Sequence, residues 1–311
     1  MITTVTANPS VDRTICIDSL VRGDVLRGTR SSVEPSGKGV NVTLALHTHG
    51  HATTAVLPLG GASGAELRSM LDASGAGYVA VPIAEAVRSN ISLLEPDGTV
   101  TKANEPGPQL TPPEIEALAE AAITAATSAS WLACCGSLPV GVAPGFYADL
   151  IARGSAAGCR TVVDSSGPCL EKALDASPDL IKPNIDELAE LTGRRLHTLG
   201  DVVDAGKLVR GRGVGAVLAS LGPRGAVLLD HDGVLHGEAP VGRPVSTVGA
   251  GDALLAGFLA GGGRGAEALH MALRWAATAV QQPGTLFSGA DFNADPGVTI
   301  TATPDLSLRL T

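Results

Sequence analysis

Short apolar runs and helical patterns alternate along most of the chain. Four apolar runs predict buried parallel strands, at 131–135, 161–163, 180–181 and 216–219. Helical periodicity follows at 146–157 and 185–191, and a helix start is indicated by Thr111, two prolines and then Glu114. Repeated strand–helix–strand units predict an α/β fold, a doubly wound and mainly parallel sheet flanked by helices.

Two segments, at about 13–34 and 87–105, interrupt this alternation. Each is typical of short strands with alternating polar residues around a turn, RGD at 22–24 and PDG at 96–98. We expect them to form a small antiparallel sheet inserted into a single domain that spans residues 1–311. Such a sheet is a candidate lid over a ligand site. Its exposed edges also predict a homodimer formed through the lid sheet.

Composition and charge exclude several classes of protein. The 311 residues are 44% hydrophobic and 17% charged, which is too apolar and too sparsely charged for a disordered chain. The net charge is −9, and there is no run of basic residues. A nucleic-acid partner is therefore not expected, because such proteins concentrate positive charge on one surface.

The same sequence predicts a cytoplasmic protein that does not enter membranes. The beginning of the chain has no apolar signal core, and the long uncharged stretch 121–148 is interrupted by prolines and glycines. The five cysteines show no CxxC spacing, so we expect reduced thiols.

The motif that carries the most chemistry is TVGAGDALLAG at 247–257. Gly249 and Gly251 allow a sharp turn, so that consecutive amides point to one spot as a helix begins, which makes an anion site. Asp252 in the first turn lies at the same spot and can take a proton from a hydroxyl. An amide nest beside a general base suits phosphoryl transfer to an alcohol. The alternative is an ordinary glycine-rich turn with a capping aspartate.

A second glycine-rich helix start is PSGKGVNV at 35–42. Its Lys38, Gly39 and Asn41 suit a phosphate or sugar hydroxyls. It is not a Walker A loop, because a glycine and not Ser or Thr follows Gly37-Lys38. The alternative is a simple helix start with a solvated lysine.

Three further motifs follow predicted strands, where ligands of open α/β sheets bind. KPNIDE at 182–187 places Asn184 and Glu187 on one helix face, where they could order hydrated Mg²⁺ or simply cap the helix. SLGPRG at 220–225 is either a hairpin turn or part of a nucleotide pocket. CGSLP at 135–139 contains Ser137 but no GxSxG elbow, so serine hydrolase chemistry is not supported.

Taken in order, these motifs and an early NPSVD at 8–12 resemble the ribokinase-like (PfkB) carbohydrate kinases over about residues 1–290. The chain looks most similar to the hexose-phosphate branch and, through its GKG loop and TKANEPG at 101–107, to the bacterial 1-phosphofructokinases. The resemblance implies a ribokinase-like fold, ATP as donor, Mg²⁺ as metal, and phosphorylation of the C6 hydroxyl of fructose 1-phosphate to fructose 1,6-bisphosphate. A K⁺ site near Ser246 and Val248 follows by analogy alone.

The resemblance also implies roles for the matching residues of the transfer site. Asp252 would deprotonate the attacking hydroxyl, and the amides of Gly249, Ala250 and Gly251 would hold the phosphoryl group. Asn184 and Glu187 would organise Mg²⁺. The ATP cleft would be lined by Lys182, Asn184, Ser220, Gly222 and Gly225.

The sugar phosphate has its own implied ligands. Asp12 and Asn41 would bind hydroxyls, and Gly39 would let the sugar approach the backbone. The candidate cations for the sugar's phosphate are Lys38, Arg88 and Lys102, with Ser137 in support and Arg27 more weakly placed. Arg88 beside Asn90 on a predicted strand is the clearest sign of a phosphorylated substrate. The alternative is that Arg88 and Lys102 are two solvated charges on an exposed strand.

Other functions remain compatible with these motifs. Within the same chemistry, the acceptor could be tagatose 6-phosphate or fructose 6-phosphate. From another class, the chain could be a non-catalytic sugar-phosphate sensor. Asp252 beside an intact Gly-Ala-Gly favours catalysis over the sensor.

Overall fold

The computed structural model describes residues 1–242, 244–282 and 296–310. The strands in these residues are β1 (Ile2–Thr6), β2 (Ser10–Cys16), β3 (Arg30–Ser36), β4 (Thr53–Leu59), β5 (Tyr78–Pro82), β6 (Arg88–Leu94), β7 (Val100–Asn104), β8 (Trp131–Cys135), β9 (Arg160–Asp164), β10 (Leu180–Ile181), β11 (Ala216–Ser220), β12 (Ala226–Asp230), β13 (Gly233–Glu238) and β14 (Thr299–Thr301). The helices are α1 (Lys38–Thr48), α2 (Gly61–Ser74), α3 (Pro112–Ala126), α4 (Phe146–Ala156), α5 (Gly167–Ala173), α6 (Ile185–Thr192), α7 (Leu199–Arg210), α8 (Ala250–Ala260) and α9 (Gly265–Ala279).

The main sheet is mixed but mainly parallel, as the sequence predicts. Its spatial order is β14-β13-β12-β11-β10-β9-β8-β1-β4-β5, parallel from β11 to β5 and antiparallel from β11 to β14. The predicted strands at 131–135 and 180–181 match β8 and β10, and the predicted helix start at Thr111 is present as a capping box with Glu114.

Helices cover both faces of this sheet. Apolar side chains of α3 to α7 pack on one face, and those of α1, α8 and α9 pack on the other. Neighbouring strand residues alternate between the two cores, so that Cys134 lies in the first and Cys135 in the second. This layering brings the amino ends of α1 and α8 to the carboxyl edge of the parallel strands.

A separate four-stranded sheet, here called the lid sheet, has the order β3-β2-β6-β7. The expectation of an antiparallel sheet is wrong at its centre, because β2 and β6 pair in parallel. The physical reason is that β2 follows β1 and β6 follows β5, two parallel strands of the main sheet, so both leave it in the same direction. The outer pairs are antiparallel, and the PDG turn at 96–98 closes the β6–β7 hairpin.

Register decides which side chains share a face of the lid sheet. Ser10 stands opposite Arg88, and Asp12 stands opposite Asn90. Lys102 stands opposite Ser92, two residues beyond Asn90, and so lies on the same face.

The structure bears on two further expectations, that the chain does not enter membranes and that its cysteines are reduced. Within the described residues, no helix is both long enough and apolar enough to cross a bilayer. All five cysteines are free thiols.

Candidate active site

The predicted motifs converge at the carboxyl edge of the parallel strands. Gly136, which follows β8, donates its amide to the carbonyl of Asp164 at the end of β9 (2.8 Å), and Lys182 donates its amide to Val163 (3.0 Å). Beyond β10, Asn184 forms a parallel bridge with Ser220 at the end of β11. Motifs far apart in sequence therefore line one continuous edge.

The start of α8 is built to bind an anion. Gly249 caps the helix with φ of +80°, a conformation that favours glycine. The first full helical hydrogen bond runs from the amide of Ala253 to the carbonyl of Gly249 (2.9 Å), so the preceding amides come before the ladder, and among them that of Ala250 makes a long bond to the carbonyl of Thr247 (3.4 Å). A Cβ on Gly251 would stand 3.4 Å from the Nζ of Lys182. Amides, helix dipole and an ammonium group thus meet at one point.

Asp252 lies in the first turn of α8 and is buried. The Nδ2 of Asn41 on α1 donates a hydrogen bond to its Oδ2 at 2.8 Å. Burial, and then the negative charge of Asp164, raise the pKa of Asp252 to about 6, while Asn41, Lys38 and Lys182 act in the opposite direction. At neutral pH the carboxyl is thus ionised in most molecules and is a stronger base than an ordinary aspartate, as a general base requires.

Sequence reasoning missed one central residue of this site, Asp164. It is fully buried, with Oδ1 2.7 Å from the Nζ of Lys38 and Oδ2 3.1 Å from the Nζ of Lys182. Burial alone favours its neutral form, but Lys182 and Lys38 outweigh burial and lower its pKa. The signal that could have found it is a carboxylate directly after the apolar run 161–163, at a strand end.

The ammonium group of Lys38 lies between two acidic side chains of the site. Its ammonium contacts Asp164 and lies 3.5 Å from the Oε1 of Glu187. Burial lowers its pKa, but Asp164 and Glu187 outweigh burial and raise it. The assignment of Lys38, together with Arg88, to the sugar's phosphate stays a prediction, because the structure shows only that the two cations have different partners, Asp164 and Glu187 for Lys38 and the carbonyl of Glu105 for Arg88.

Asn184 and Glu187 form a reciprocal capping box at the start of α6. The amide of Glu187 donates to Asn184 Oδ1, and the amide of Asn184 donates to Glu187 Oε2, both at 2.8 Å. The capping alternative is thus correct for these bonds. Glu187 Oε1 is the oxygen that faces Lys38 and the site.

Polar side chains of the lid sheet form a second cluster. Asp12 Oδ1 accepts hydrogen bonds from Ser10 Oγ (2.7 Å) and Asn90 Nδ2 (2.9 Å). Arg88 Nη1 donates to the carbonyl of Glu105 (3.2 Å). Burial lowers the pKa of Arg88, and Asp12 and Glu105 act against that effect. Asp12 and Arg88, which the resemblance assigns separately to the sugar's hydroxyls and its phosphate, therefore lie close together.

The other predicted ligands of the sugar phosphate are more dispersed. Ser137 is exposed and accepts a hydrogen bond from Asn8 Nδ2 at 3.2 Å. Lys102 is exposed on the same lid face as Asn90. Arg27 lies exposed in the loop between β2 and β3.

The three glycines predicted at ligand sites, Gly39, Gly222 and Gly225, differ in what a side chain at each position would contact. A Cβ on Gly39 would stand 2.4 Å from Thr6 Oγ1, so this glycine lets α1 pack closely on β1. Its predicted role in the approach of the sugar stays a prediction. A Cβ on Gly225 would stand 2.0 Å from the carbonyl oxygen of Gly237, which is also a packing requirement. A Cβ on Gly222 would meet no heavy atom within 4 Å. The open space beside Gly222 leaves room for a ligand.

Around the suggested K⁺ position, Ser246 Oγ accepts from the amide of Val248 at 3.2 Å. The amide of Ser246 donates to the carbonyl of Val280 at 3.2 Å. The segment 283–295, which follows soon after, lies outside the described residues.

Several buried polar atoms without a hydrogen-bond partner lie at this cleft, while others, such as Trp131 Nε1 and Asp230 Oδ2, lie elsewhere in the fold. Among the described residues those at the cleft include Asn8 Oδ1, Asn41 Oδ1, Arg88 Nε and Asn90 Oδ1. Buried polar groups in folded proteins are nearly always paired. A ligand rich in hydroxyl and phosphate groups would supply the missing partners.

Comparison with known proteins identifies the class of site. The model of the pfkB family carbohydrate kinases matches residues 5–291. The chain is 38% identical to a 1-phosphofructokinase of Haloferax volcanii, covering 92% of each chain, and 36% identical to one of Rhodobacter capsulatus, covering 83% and 82%. A crystal structure of Escherichia coli phosphofructokinase-2 in complex with potassium superposes with a TM-score of 0.86 at 31% identity, covering 92% of this chain and 94% of that one. The chain therefore belongs to the pfkB family of carbohydrate kinases, as a phosphotransferase that acts on an alcohol group of a sugar phosphate.

Proposed function

We propose that this kinase transfers the terminal phosphoryl group of ATP to the C6 hydroxyl of fructose 1-phosphate, giving fructose 1,6-bisphosphate. The observation that carries the proposal is the buried Asp252–Asn41 pair at the amino end of α8. The carboxylate of Asp252, the amides at the start of α8 and the ammonium of Lys182 lie close together there, as phosphoryl transfer to an alcohol requires.

The reaction follows from these groups. Asp252 accepts the proton of the C6 hydroxyl as O6 bonds to the γ-phosphorus, and the bond from that phosphorus to the β–γ bridging oxygen breaks. ADP leaves with the bonding electrons. The amides of Gly249, Ala250 and Gly251 and the ammonium of Lys182 stabilise the charge on the transferring group. Closure of the lid sheet would exclude water and so prevent hydrolysis of ATP.

The residues on the nucleotide side fit ATP and Mg²⁺. Mg²⁺ bound with a nucleotide is held by one or two carboxylates, the phosphates and water, and Glu187 Oε1 is one carboxylate oxygen turned to the site. Such an ion would neutralise charge on the phosphates. Asn184 would act through water, since its Oδ1 already caps α6. Ser220 and the open space at Gly222 would line the ATP cleft, while Gly225 supports it by packing.

The sugar-phosphate side is supported by the polar face of the lid sheet. Asn41 Oδ1 is a buried acceptor beside the base, and Asp12 lies in the second cluster, which supports our assignment of both to sugar hydroxyls. We assign the substrate's phosphate to Arg88 and Lys102 on the same face, with Ser137 at the adjoining strand end. Lys38 is reassigned to the phosphoryl-transfer side because of its contacts with Asp164 and Glu187.

The relatives and not the geometry favour fructose 1-phosphate as acceptor. In fructose 1-phosphate, fructose 6-phosphate and tagatose 6-phosphate, the phosphate and the reacting hydroxyl stand at opposite ends of a hexose. The transfer site around Asp252 and the polar cluster of the lid sheet therefore suit all three sugar phosphates. The curated relatives are 1-phosphofructokinases, whereas E. coli phosphofructokinase-2 has been solved in complex with fructose-6-phosphate.

A coupled ADP-release assay with Mg-ATP tests the proposal. We expect kcat/KM for fructose 1-phosphate to exceed the values for fructose 6-phosphate, tagatose 6-phosphate and fructose. Preference for a 6-phosphate would keep the mechanism and overturn the choice of acceptor. Binding of these sugars without turnover of any would overturn the kinase and support a sugar-phosphate sensor.

We further propose that residues 1–311 form one domain and that the lid sheet joins two copies of the chain. Val33 and Ile91 lie in one row on the face opposite Asp12 and Asn90, and they are 37% and 39% exposed. A second copy that packs there would bury these apolar side chains. A K⁺ site at Ser246 and Val248 is proposed by analogy with the family.

A further inference from the structure

Asp164 occupies a position where a charged group is costly. It is the last residue of β9 and has no exposed surface. A buried carboxylate stays ionised only where cations or hydrogen-bond donors compensate for lost water. The ammonium groups of Lys38 and Lys182 supply that compensation at 2.7 and 3.1 Å.

The two lysines reach Asp164 from separate parts of the fold. Lys38 is the first residue of α1, whereas Lys182 follows β10. Lys182 Nζ lies beside the position of a Cβ on Gly251, at the start of α8. Lysine side chains have many rotamers, so an ammonium without a fixed partner is poorly positioned. Asp164 supplies a fixed partner to both.

We propose that Asp164 is a positioning residue, which holds Lys38 and Lys182 as a preorganised pair of cations around the transferring phosphoryl group. The inference rests on the proposed function and deepens it. Preorganised charges stabilise a transition state without the reorganisation that mobile side chains need. Asp164 itself has no role as a base or as a ligand of the sugar.

Asp164 also acts on the base at a distance. The groups that set the protonation of Asp252 are Asn41, Asp164, Lys38 and Lys182, together with burial. Of these groups, Asp164 is the one that raises the pKa of Asp252. Removal of the negative charge at Asp164 must therefore lower that pKa. The acidic limb, the part of the pH profile in which kcat falls as Asp252 is protonated, then moves to lower pH.

Asp164→Asn tests the inference because it removes the charge and keeps the size of the side chain. We expect kcat with fructose 1-phosphate to fall about 10- to 100-fold at pH 7.5, since small misplacements of charged groups cost this much. The KM for ATP should not rise, because the site becomes more positive toward an anionic nucleotide. A purely structural role would lower the yield of folded enzyme and leave the kcat of each folded molecule close to that of the wild type.

Asp179→Asn is the matched control. Asp179 precedes β10 at the opposite end of the sheet, where its Oδ2 accepts from the amide of Thr161 at 2.7 Å. This variant should keep kcat and the position of the acidic limb. A kcat of Asp164→Asn within threefold of wild type, or an unmoved limb, would overturn the inference.

Double-mutant cycles show whether Asp164 acts through the lysines. In Lys38→Met, adding Asp164→Asn should reduce kcat by much less than it does in the wild type, because a partner is already lost. Full additivity would overturn the inference. If Asp164→Asn alone fails to fold, Lys182→Met is compared with Lys182→Met/Asp164→Asn, which removes a buried pair together. There, a further loss of kcat smaller than tenfold supports the inference, because only Lys38 is left for Asp164 to position, and a further loss of tenfold or more contradicts it.

Two further results separate this inference from the proposed function. Titration calorimetry with a non-hydrolysable ATP analogue should give Asp164→Asn a Kd no weaker than that of the wild type, and a tenfold weaker Kd contradicts the positioning role. If wild type turns over sugar phosphates and Asp164→Asn matches it, only the inference fails. If wild type turns over none of them, the proposed function fails first and the inference with it.

Discussion

Asp252→Asn should make the protein more stable as well as inactive. Folding raises the pKa of this carboxyl from 3.8 to about 6, mainly through burial. Between those values the folded state binds more protons than the unfolded state, so stability falls as pH rises through this window. A rise in pKa from 3.8 to about 6 corresponds to about 3 kcal/mol of unfolding free energy lost at pH 7.5.

The amide substitution removes that cost and retains the size of the side chain. Its oxygen can still accept the hydrogen bond from Asn41 Nδ2. We therefore expect the free energy of unfolding to rise by as much as about 3 kcal/mol at pH 7.5, and by about half of that at pH 5. The gain should vanish below about pH 3, where both states are protonated.

Urea unfolding of both proteins at pH 7.5 and pH 5 measures the difference. Asp230→Asn is the control, because Asp230 is another buried aspartate but lies at the β12–β13 turn, where its Oδ1 accepts from the amide of Asp232. It measures what the same substitution does to the free energy of unfolding at a buried aspartate outside the cleft. An Asp252→Asn variant that is less stable than wild type by the same amount at both pH values would refute the reasoning.

Three further outcomes follow from the site and the lid sheet. The kcat of the wild type should fall about tenfold from pH 7 to pH 5, because Asp252 has a pKa of about 6 and acts as a base; a flat profile over this range would contradict that assignment. Arg88→Ala should raise KM for fructose 1-phosphate at least tenfold and change kcat little, and Arg22→Ala, in the loop between β2 and β3, is the control. An equal rise in KM for unphosphorylated fructose would exclude a contact between Arg88 and the phosphate. Ile91→Glu should convert a dimer into a monomer in light scattering after gel filtration, whereas a wild type that is already monomeric would exclude the lid-sheet dimer.

Much of the site can be predicted because it depends on topology. Parallel strands end at one edge of a sheet, so polar residues that follow apolar runs must lie close together. Ser137, Lys182 and Ser220 could be placed on this basis. The turn at Gly249 could be placed because few sequences other than glycine-rich ones adopt its backbone.

What could not be predicted depends on distances between side chains. Lys38 lies 126 residues from Asp164 in the sequence. The sequence does not show whether its ammonium group contacts that carboxylate or points to the phosphate site assigned to Arg88. Asp164 alone resembles any polar residue that ends a strand. The contact of Gly39 with Thr6 likewise depends on how closely a helix approaches a sheet, which spacing along the chain does not reveal.

The measurement that decides most directly is ³¹P NMR of the products formed from ATP and fructose 1-phosphate, with wild type and Asp252→Asn side by side. For wild type we expect ADP and a second phosphate monoester at C6, with the C1 phosphate unchanged, and for Asp252→Asn a rate lower by several orders of magnitude. Release of inorganic phosphate without a new sugar ester, or equal rates in the two proteins, would contradict phosphoryl transfer through Asp252.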